Sequence, residues 1–163
     1  MNLRAITVQG EDDWARARAI RMLVFVREQG VPVALELDEL DPLSTHALVE
    51  DGGVAVATGR LIPAGHAPAL AEDAAGGFPD QARAETGKIG RMAVLAPWRG
   101  RGAGSLLMDH LTRVAATQRL THLMLSAQTH AVPFYARHGY RVVSAQFMDA
   151  GIPHVWMRRA LTP

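Results

Sequence analysis

The stretch that decides the fold is Met92–Gly104, MAVLAPWRGRGAG. It reads as an apolar strand (Met92-Ala-Val-Leu-Ala), a proline-marked turn at Pro97, and then Arg99-Gly-Arg-Gly-Ala-Gly104 opening onto a helix. A glycine-rich turn that runs into a helix N-terminus leaves several backbone N–H groups with no partner inside the helix. Those donors and the positive end of the helix dipole form a ready site for a phosphate or pyrophosphate. Glycine lets the chain take positive φ and come close to the anion. The local expectation is a strand, an anion cradle and a helix, so the ligand carries phosphate.

Working outward on the N-terminal side, Leu3–Val8 alternates as a strand, and Glu11-Asp12-Asp13 places acids where a helix begins. Ala17, Ile20, Leu23 and Val24 then fall at helical spacing, with Arg16, Arg18 and Arg21 mostly off that stripe. This helix is expected to end at Gln29-Gly30. Val31–Ser44 follows as a loop carrying Glu36, Asp38, Glu39 and Asp41. Thr45–Glu50 and Val54–Ile62 flank Asp51-Gly52-Gly53, which is a hairpin signal. Pro63–Thr86 is rich in Ala, Gly and Pro without a clean period, and is expected as a long excursion or a short helix.

On the C-terminal side, Ala103, Leu107, Leu111, Val114 and Ala115 share one helical face, and His122–Gln128 reads as a buried strand. Ala131–His138 is a short helix with Pro133 in its first turn and Gly139 as its stop. Tyr140–Phe147 and His154–Arg159 read as two closing strands, the second an edge that either ends the sheet or pairs with a second copy to make a homodimer. The alternation of strands and helices predicts an α+β fold in one domain spanning residues 1–163.

Composition narrows the function. The 163 residues carry a net charge of +1 with acids and bases interspersed, which argues against a nucleic-acid binder. No apolar run reaches the length of a membrane span, and the first residues (MNLRAITVQGEDDW) lack a secretory core, so a cytoplasmic location and no membrane partner are expected. Cysteine is absent, which removes thiolate metal sites and a cysteine acyl-enzyme. His46, His130 and His154 are scattered without the i, i+4 spacing of a helical zinc site, so no metal is expected.

Among phosphate ligands, a mononucleotide loop needs lysine and a hydroxyl directly after its last glycine. Gly104 is followed by Ser105-Leu106, and the chain's sole lysine is Lys88. A dinucleotide site needs G-x-G-x-x-G and an acid at the end of the next strand. Here the glycine spacing differs and the next strand ends in Gln128.

What remains is [Q/R]-x-x-G-x-[G/A] after a strand, met by Arg99-Gly-Arg-Gly102-Ala-Gly104. This resembles the coenzyme A pyrophosphate loop of the GCN5-related N-acetyltransferases (GNAT). Phe134-Tyr135-Ala-Arg-His-Gly139-Tyr140 is similar to that family's F-Y-x-x-x-G-F/Y segment. Val24-Phe-Val-Arg-Glu28-Gln29-Gly-Val31-Pro32, then Glu36, Asp38, Asp41 and His46, resembles its ElaA-type branch, as do Ala127–His130 and Gly151–His154. The resemblance implies the GNAT-like acyl-CoA N-acyltransferase fold, a central mixed sheet with helices on both faces. It implies an enzyme that moves an acetyl group from acetyl-CoA to a primary amine by direct transfer in a ternary complex.

By the same resemblance, the backbone of Met92, Ala93 and Val94 holds the pantetheine arm. Gly100, Arg101, Gly102, Ala103, Gly104 and Ser105 take the pyrophosphate, with charge from Arg99 and Arg101. Gln128 stands where the family often has asparagine. Tyr135 is the candidate general acid, since a phenol can donate to a departing thiolate. The base is left among Glu28, Glu36, Asp38 and His154 or a water chain, with Glu36 or His154 put first. Glu28, Gln29, Glu36 and Asp38 are assigned to the acceptor side, where an acidic loop would suit a cationic amine. Two rival readings stand beside this one: an acyl-CoA-binding or regulatory module without catalysis, and a transferase with a longer acyl donor.

Overall fold

The Asp51-Gly52-Gly53 signal is realised as a two-residue turn. Gly52 and Gly53 sit at φ 57° and 89°, the mirror-image geometry that matches the twist of the strands it joins. It links β2 (Thr45–Asp51) to β3 (Val54–Ile62) in antiparallel register, with an irregularity between Val49 and Glu50. The computed structural model describes residues 1–71 and 77–162. Its strands pair in both senses, giving a mixed sheet with flanking helices. The chain packs as two units, Met1–Leu61 with Gly90–Arg113, and Ile62–Ile89 with Val114–Pro163.

In the first unit β1 (Leu3–Thr7) pairs antiparallel with β2. Helix α1 (Gly10–Arg21) starts with three acids in its first turn, and the Asp13 carboxylate accepts from the Gln9 N–H at 3.0 Å. That contact satisfies one of the donors a helix start leaves open. Met22–Glu28 continues as a π-helical segment, closed by Gln29 N–H to Val24 O at 3.1 Å. Gly30, at φ 72°, ends it. The spacing 17, 20, 24 puts Ala17, Ile20 and Val24 on one face, and they pack on Leu48 of β2 and on Ala93, with Ile6, Trp14, Phe25 and Leu95 around them. Burying Ile20, Val24 and Leu48 stabilises by about 1.5–3 kcal/mol each. Two members of the helix differ from the expected stripe: Leu23 is exposed, whereas Arg21 is fully buried. The widened π segment shifts the helical phase, and Arg21 has carboxylate partners described below.

A single helical turn, α2 (Val33–Glu36), and a 3₁₀ turn at Asp41–Leu43 bring the chain to β2. In the second unit, the expected excursion at 63–86 contains a short helix, α3 (Asp80–Ala84), entered from Pro79. Positions 72–76 of that excursion lie outside the described residues. Strand β4 (Thr86–Val94) runs out of the second unit into the first. Its parallel register with β5 (His122–Gln128) covers Thr86–Ile89 against His122–Leu125. Helix α4 (Ala103–Thr117) follows the glycine turn, with Ala103, Leu107, Leu111 and Ala115 buried as their spacing requires.

The C-terminal strands correct the sequence expectation. Tyr140–Phe147 is two short strands, β6 (Arg141–Val142) and β7 (Phe147–Asp149), because the chain leaves the ladder between them. There the Ser144 hydroxyl takes the Trp156 N–H at 2.8 Å in place of a backbone partner. Strand β8 (Ile152–Ala160) is interior, pairing with β5 on one side and with β6 and β7 on the other. The predicted edge at His154–Arg159 is therefore occupied within the chain, and no dimer can form by adding a strand to it. Within this strand Arg158 is buried, 3% exposed, with its guanidinium 3.7 Å from the centre of the Phe78 ring. Among the described residues no helix is long and apolar enough to cross a membrane.

Candidate active site

The anion cradle is assembled as the sequence predicts. Leu95 N–H bonds Val56 O at 2.9 Å, which fixes the end of β4. A 3₁₀ turn at Ala96–Trp98 follows, and the Trp98 indole donates to Asp51 at 2.8 Å. Gly100 and Gly102 take φ 72° and 92°, the left-handed region that side-chain-bearing residues disfavour. The first helical bond is Leu106 N–H to Gly102 O at 3.0 Å. The N–H groups of Ala103 and Gly104 therefore have no acceptor one turn back, and they lie with Ser105 at the positive end of a 15-residue helix.

Arg99 departs from its expected role. Its Nε donates to Val94 O at 2.8 Å and its Nη2 to Glu28 at 2.7 Å. It ties the end of β4 to the end of the π segment instead of reaching toward a phosphate. Arg101 remains exposed, so the cradle's charge comes from Arg101 and the helix dipole. Glu28, assigned to the acceptor side, is accordingly neutralised by Arg99. Gln29 caps the π segment.

The acidic loop is a paired network, not a solvated face. Arg21, fully buried, donates through Nε to Glu36 and through Nη1 to Asp41, both at 2.7 Å, and through Nη2 to Glu36 O at 2.6 Å. Arg60, also buried, reaches Asp38 at 2.6 and 2.8 Å and Asp41 at 2.8 Å. Arg91 reaches Asp38 at 3.2 Å and lies 3.3 Å from Glu36 Oε2. Three guanidinium groups thus meet three carboxylates, which leaves Glu39, exposed, as the remaining acid of the segment. Burial outweighs the arginines at Glu36 and raises its pKa; at Asp38 the hydrogen bond from Arg60 dominates and lowers it to about 2. Both Glu36 oxygens face guanidinium groups, which is a poor arrangement for taking a proton from an amine. His46 donates through Nε2 to Asp41 O at 2.9 Å and packs on Trp14; burial lowers its pKa, so it is a neutral core histidine.

In the second unit, Tyr135 sits in helix α5 (Val132–Arg137), whose first turn holds Pro133 and whose end is marked by Gly139 at φ 89°. Its ring lies edge-on to Phe134 at 5.1 Å and to Tyr140 at 6.2 Å. Burial pushes the Tyr135 phenol up to about 12, so it holds its proton throughout the physiological range. The Tyr140 hydroxyl is buried without a hydrogen-bond partner. Gln128 ends β5 opposite His154, and its Oε1 lies 2.8 Å from His130 Nε2. His154 is 8% exposed and its Nδ1 lies 2.7 Å from Ile152 O. A carbonyl only accepts, so Nδ1 carries the proton and Nε2 the lone pair in the neutral ring. Of the two bases put first, His154 keeps a nitrogen suited to the task.

Sequence reasoning missed Arg21, Arg60 and Arg91, whose carboxylate partners lie 15 to 55 positions away along the chain.

A mixed sheet with flanking helices, and a glycine cradle between its fourth strand and the following helix, define an acyl-CoA N-acyltransferase type of protein. Residues 60–161 match the Acetyltransferase (GNAT) domain. An uncharacterized N-acetyltransferase of Bacillus subtilis, YjcF, is 37% identical over 158 residues, covering 96% of this chain and 99% of its own. The chain belongs to the GNAT acetyltransferase family. Its fold matches the crystal structure of an acyl-CoA N-acyltransferase from Pseudomonas aeruginosa with a TM-score of 0.77 at 28% identity, over 98% of this chain and all of that one. It also matches Escherichia coli ElaA in fold, with a TM-score of 0.75 at 23% identity, over 97% of this chain and 99% of ElaA.

Proposed function

We propose that this acyltransferase moves an acetyl group from acetyl-CoA to a primary amine, directly and in a ternary complex. The observation that carries the reading is the cradle: left-handed Gly100 and Gly102 followed by the open N–H groups of Ala103 and Gly104 at the start of a 15-residue helix. A pyrophosphate is the group such a cradle recognises. We assign the pantetheine arm to the backbone of Met92, Ala93 and Val94, which follow the last β4 residue in the ladder to β5. An extended arm binding there would add to the strand through main-chain hydrogen bonds. Each unit is built from two separate stretches of chain, so we treat residues 1–163 as one transferase domain.

In the reaction the amine nitrogen attacks the thioester carbonyl carbon, a C–N bond forms, the C–S bond breaks, and the sulfur leaves as a thiolate that takes a proton from solvent after departure. Tyr135 is assigned to the sulfur. Complete proton transfer from a phenol at about 12 to a thiolate of ordinary pKa ~8.5 is uphill by about 5 kcal/mol. Tyr135 therefore acts by donating a hydrogen bond as charge builds on sulfur. With no cysteine in the chain, direct transfer needs no acyl-enzyme. His154 Nε2, or water, takes the proton of the amine, and Glu36 is set aside because its oxygens are engaged.

The test is a panel of primary amines with acetyl-CoA, read by release of free CoA, beside acetyl-CoA binding by calorimetry. Loss of one donor to a developing anion costs about 10²–10³ in kcat, so Tyr135→Phe should fall by about that factor while binding acetyl-CoA as the parent does. Binding without turnover across the panel would refute the transferase reading in favour of a binding module. Tighter binding of longer acyl-CoAs would replace acetyl as the donor.

A further inference from the structure

Arg91 lies inside strand β4 at φ 53°, a left-handed conformation that residues with side chains rarely adopt. Its neighbour Gly90 would meet nothing within 4 Å if it carried a Cβ, yet the left-handed residue is the arginine and not the glycine. Glycine at 91 would meet the backbone demand without strain, so the side chain present there points to a separate task. That side chain is fastened to one short segment. Nε donates to Glu36 O at 3.2 Å, and Nη2 donates to Leu35 O at 3.1 Å and to Asp38 Oδ2 at 3.2 Å. Leu35 and Glu36 close the single turn α2, where carbonyl groups have no helical donor. Arg91 supplies one. Directly after it come Met92, Ala93 and Val94.

We propose that Arg91 is a positioning residue for the acyl donor. Its guanidinium, anchored on Leu35–Asp38, holds the left-handed kink in β4 and so aims the backbone groups of Met92–Val94 at the thioester arm. The inference rests on the donor reading above. It makes the segment Leu35–Asp38 and the donor-binding strand a single mechanical piece, so that moving one turns the other.

The experiment compares Arg91→Gly, Arg91→Met and Arg91→Lys with the parent, by calorimetric titration with acetyl-CoA and with 3′-phospho-ADP. The second ligand keeps the pyrophosphate and lacks the arm. Arg91→Gly keeps the backbone conformation accessible without strain, so it folds even if Arg91→Met does not. Misaiming one or two main-chain hydrogen bonds, each worth about a factor of ten, predicts acetyl-CoA binding about tenfold or more weaker in Arg91→Gly. Binding of 3′-phospho-ADP should stay within about twofold, and Arg91→Lys should recover part of the loss. Acetyl-CoA affinity in Arg91→Gly equal to the parent's, or equal weakening of both ligands, overturns the inference. A parent that binds neither ligand refutes the donor reading itself, and the inference with it.

Discussion

Replacing Arg21 by methionine should be among the most damaging single changes in the first unit. The side chain is fully buried and makes four hydrogen bonds, two to Asp41, one to the Glu36 carboxylate and one to the Glu36 carbonyl. Methionine fills a similar space without any donor, leaving two carboxylates that are 3% and 8% exposed short of their principal cation. Removing one partner from a buried ion pair costs about 3–5 kcal/mol. Arg60 still reaches Asp41, and Arg91 still faces Glu36, so the lower end, about 3 kcal/mol, is expected. That is a large share of the ~5–15 kcal/mol that holds a typical domain folded. The assay is urea denaturation at pH 7 followed by tryptophan fluorescence, for which Trp14 is well placed, 5.6 Å from the Arg21 guanidinium. The pH dependence supplies a second reading. In the variant the folded pKa values of Glu36 and Asp41 would lie above their unfolded values, giving stability that is present at low pH and lost as pH rises through the folded values. The variant should therefore gain stability between pH 7 and 5. A loss under about 1 kcal/mol, or no gain on acidification, would refute the argument that Arg21 compensates these two carboxylates.

Two further outcomes are expected. Asp38, held at about 2 chiefly by Arg60, has a folded pKa below its unfolded one, so it contributes stability above pH ~4 that is lost as pH falls toward 2, about 2 kcal/mol in all. Asp38→Asn should remove that contribution at pH 7 and flatten the acid limb of the stability profile; an unchanged limb would contradict it. At Gly59 in β3, a Cβ would meet Met92 Sδ at 2.5 Å and Leu107 and Leu111 at 3.2 Å. Gly59→Ala should cost about 1–3 kcal/mol and lower Tm by about 2–4 °C per kcal/mol, and an unaltered melting curve would show that Met92 swings aside freely.

Local signals were legible wherever one short stretch dictates its own geometry. Gly52-Gly53, Gly100 and Gly102, and Gly139 each sit at the positive φ their motif demands, and the apolar spacing of α4 puts Leu107 and Leu111 in the core. Pairing at a distance was not legible. Arg16, Arg18 and Arg21 share one helix, and nothing in their immediate neighbours says that Arg21 alone meets carboxylates 15 and 20 positions on. The same holds for β8, taken for an edge because its partners β6 and β7 are two and three residues long. In the site, the strand, the left-handed Gly100 and Gly102 and the helix that follows could be read from one motif. The tie from Arg99 to Glu28, 71 positions back along the chain, has no signal in the residues around it.

The interior position of β8 sets an order on synthesis. Strand β5 lacks its antiparallel neighbour, and β6 and β7 lack any described partner strand, until Ile152–Ala160 is available. Domains fold largely as they leave the ribosome, N-terminal parts first. Here the first unit has all of its own segments once Arg113 emerges, whereas the second waits for Ile152–Ala160. During that interval the backbone edge of β5 that β8 will pair is open to nascent-chain chaperones, and a ribosome stalled short of β8 would carry a first unit complete in its segments beside an unfinished second one.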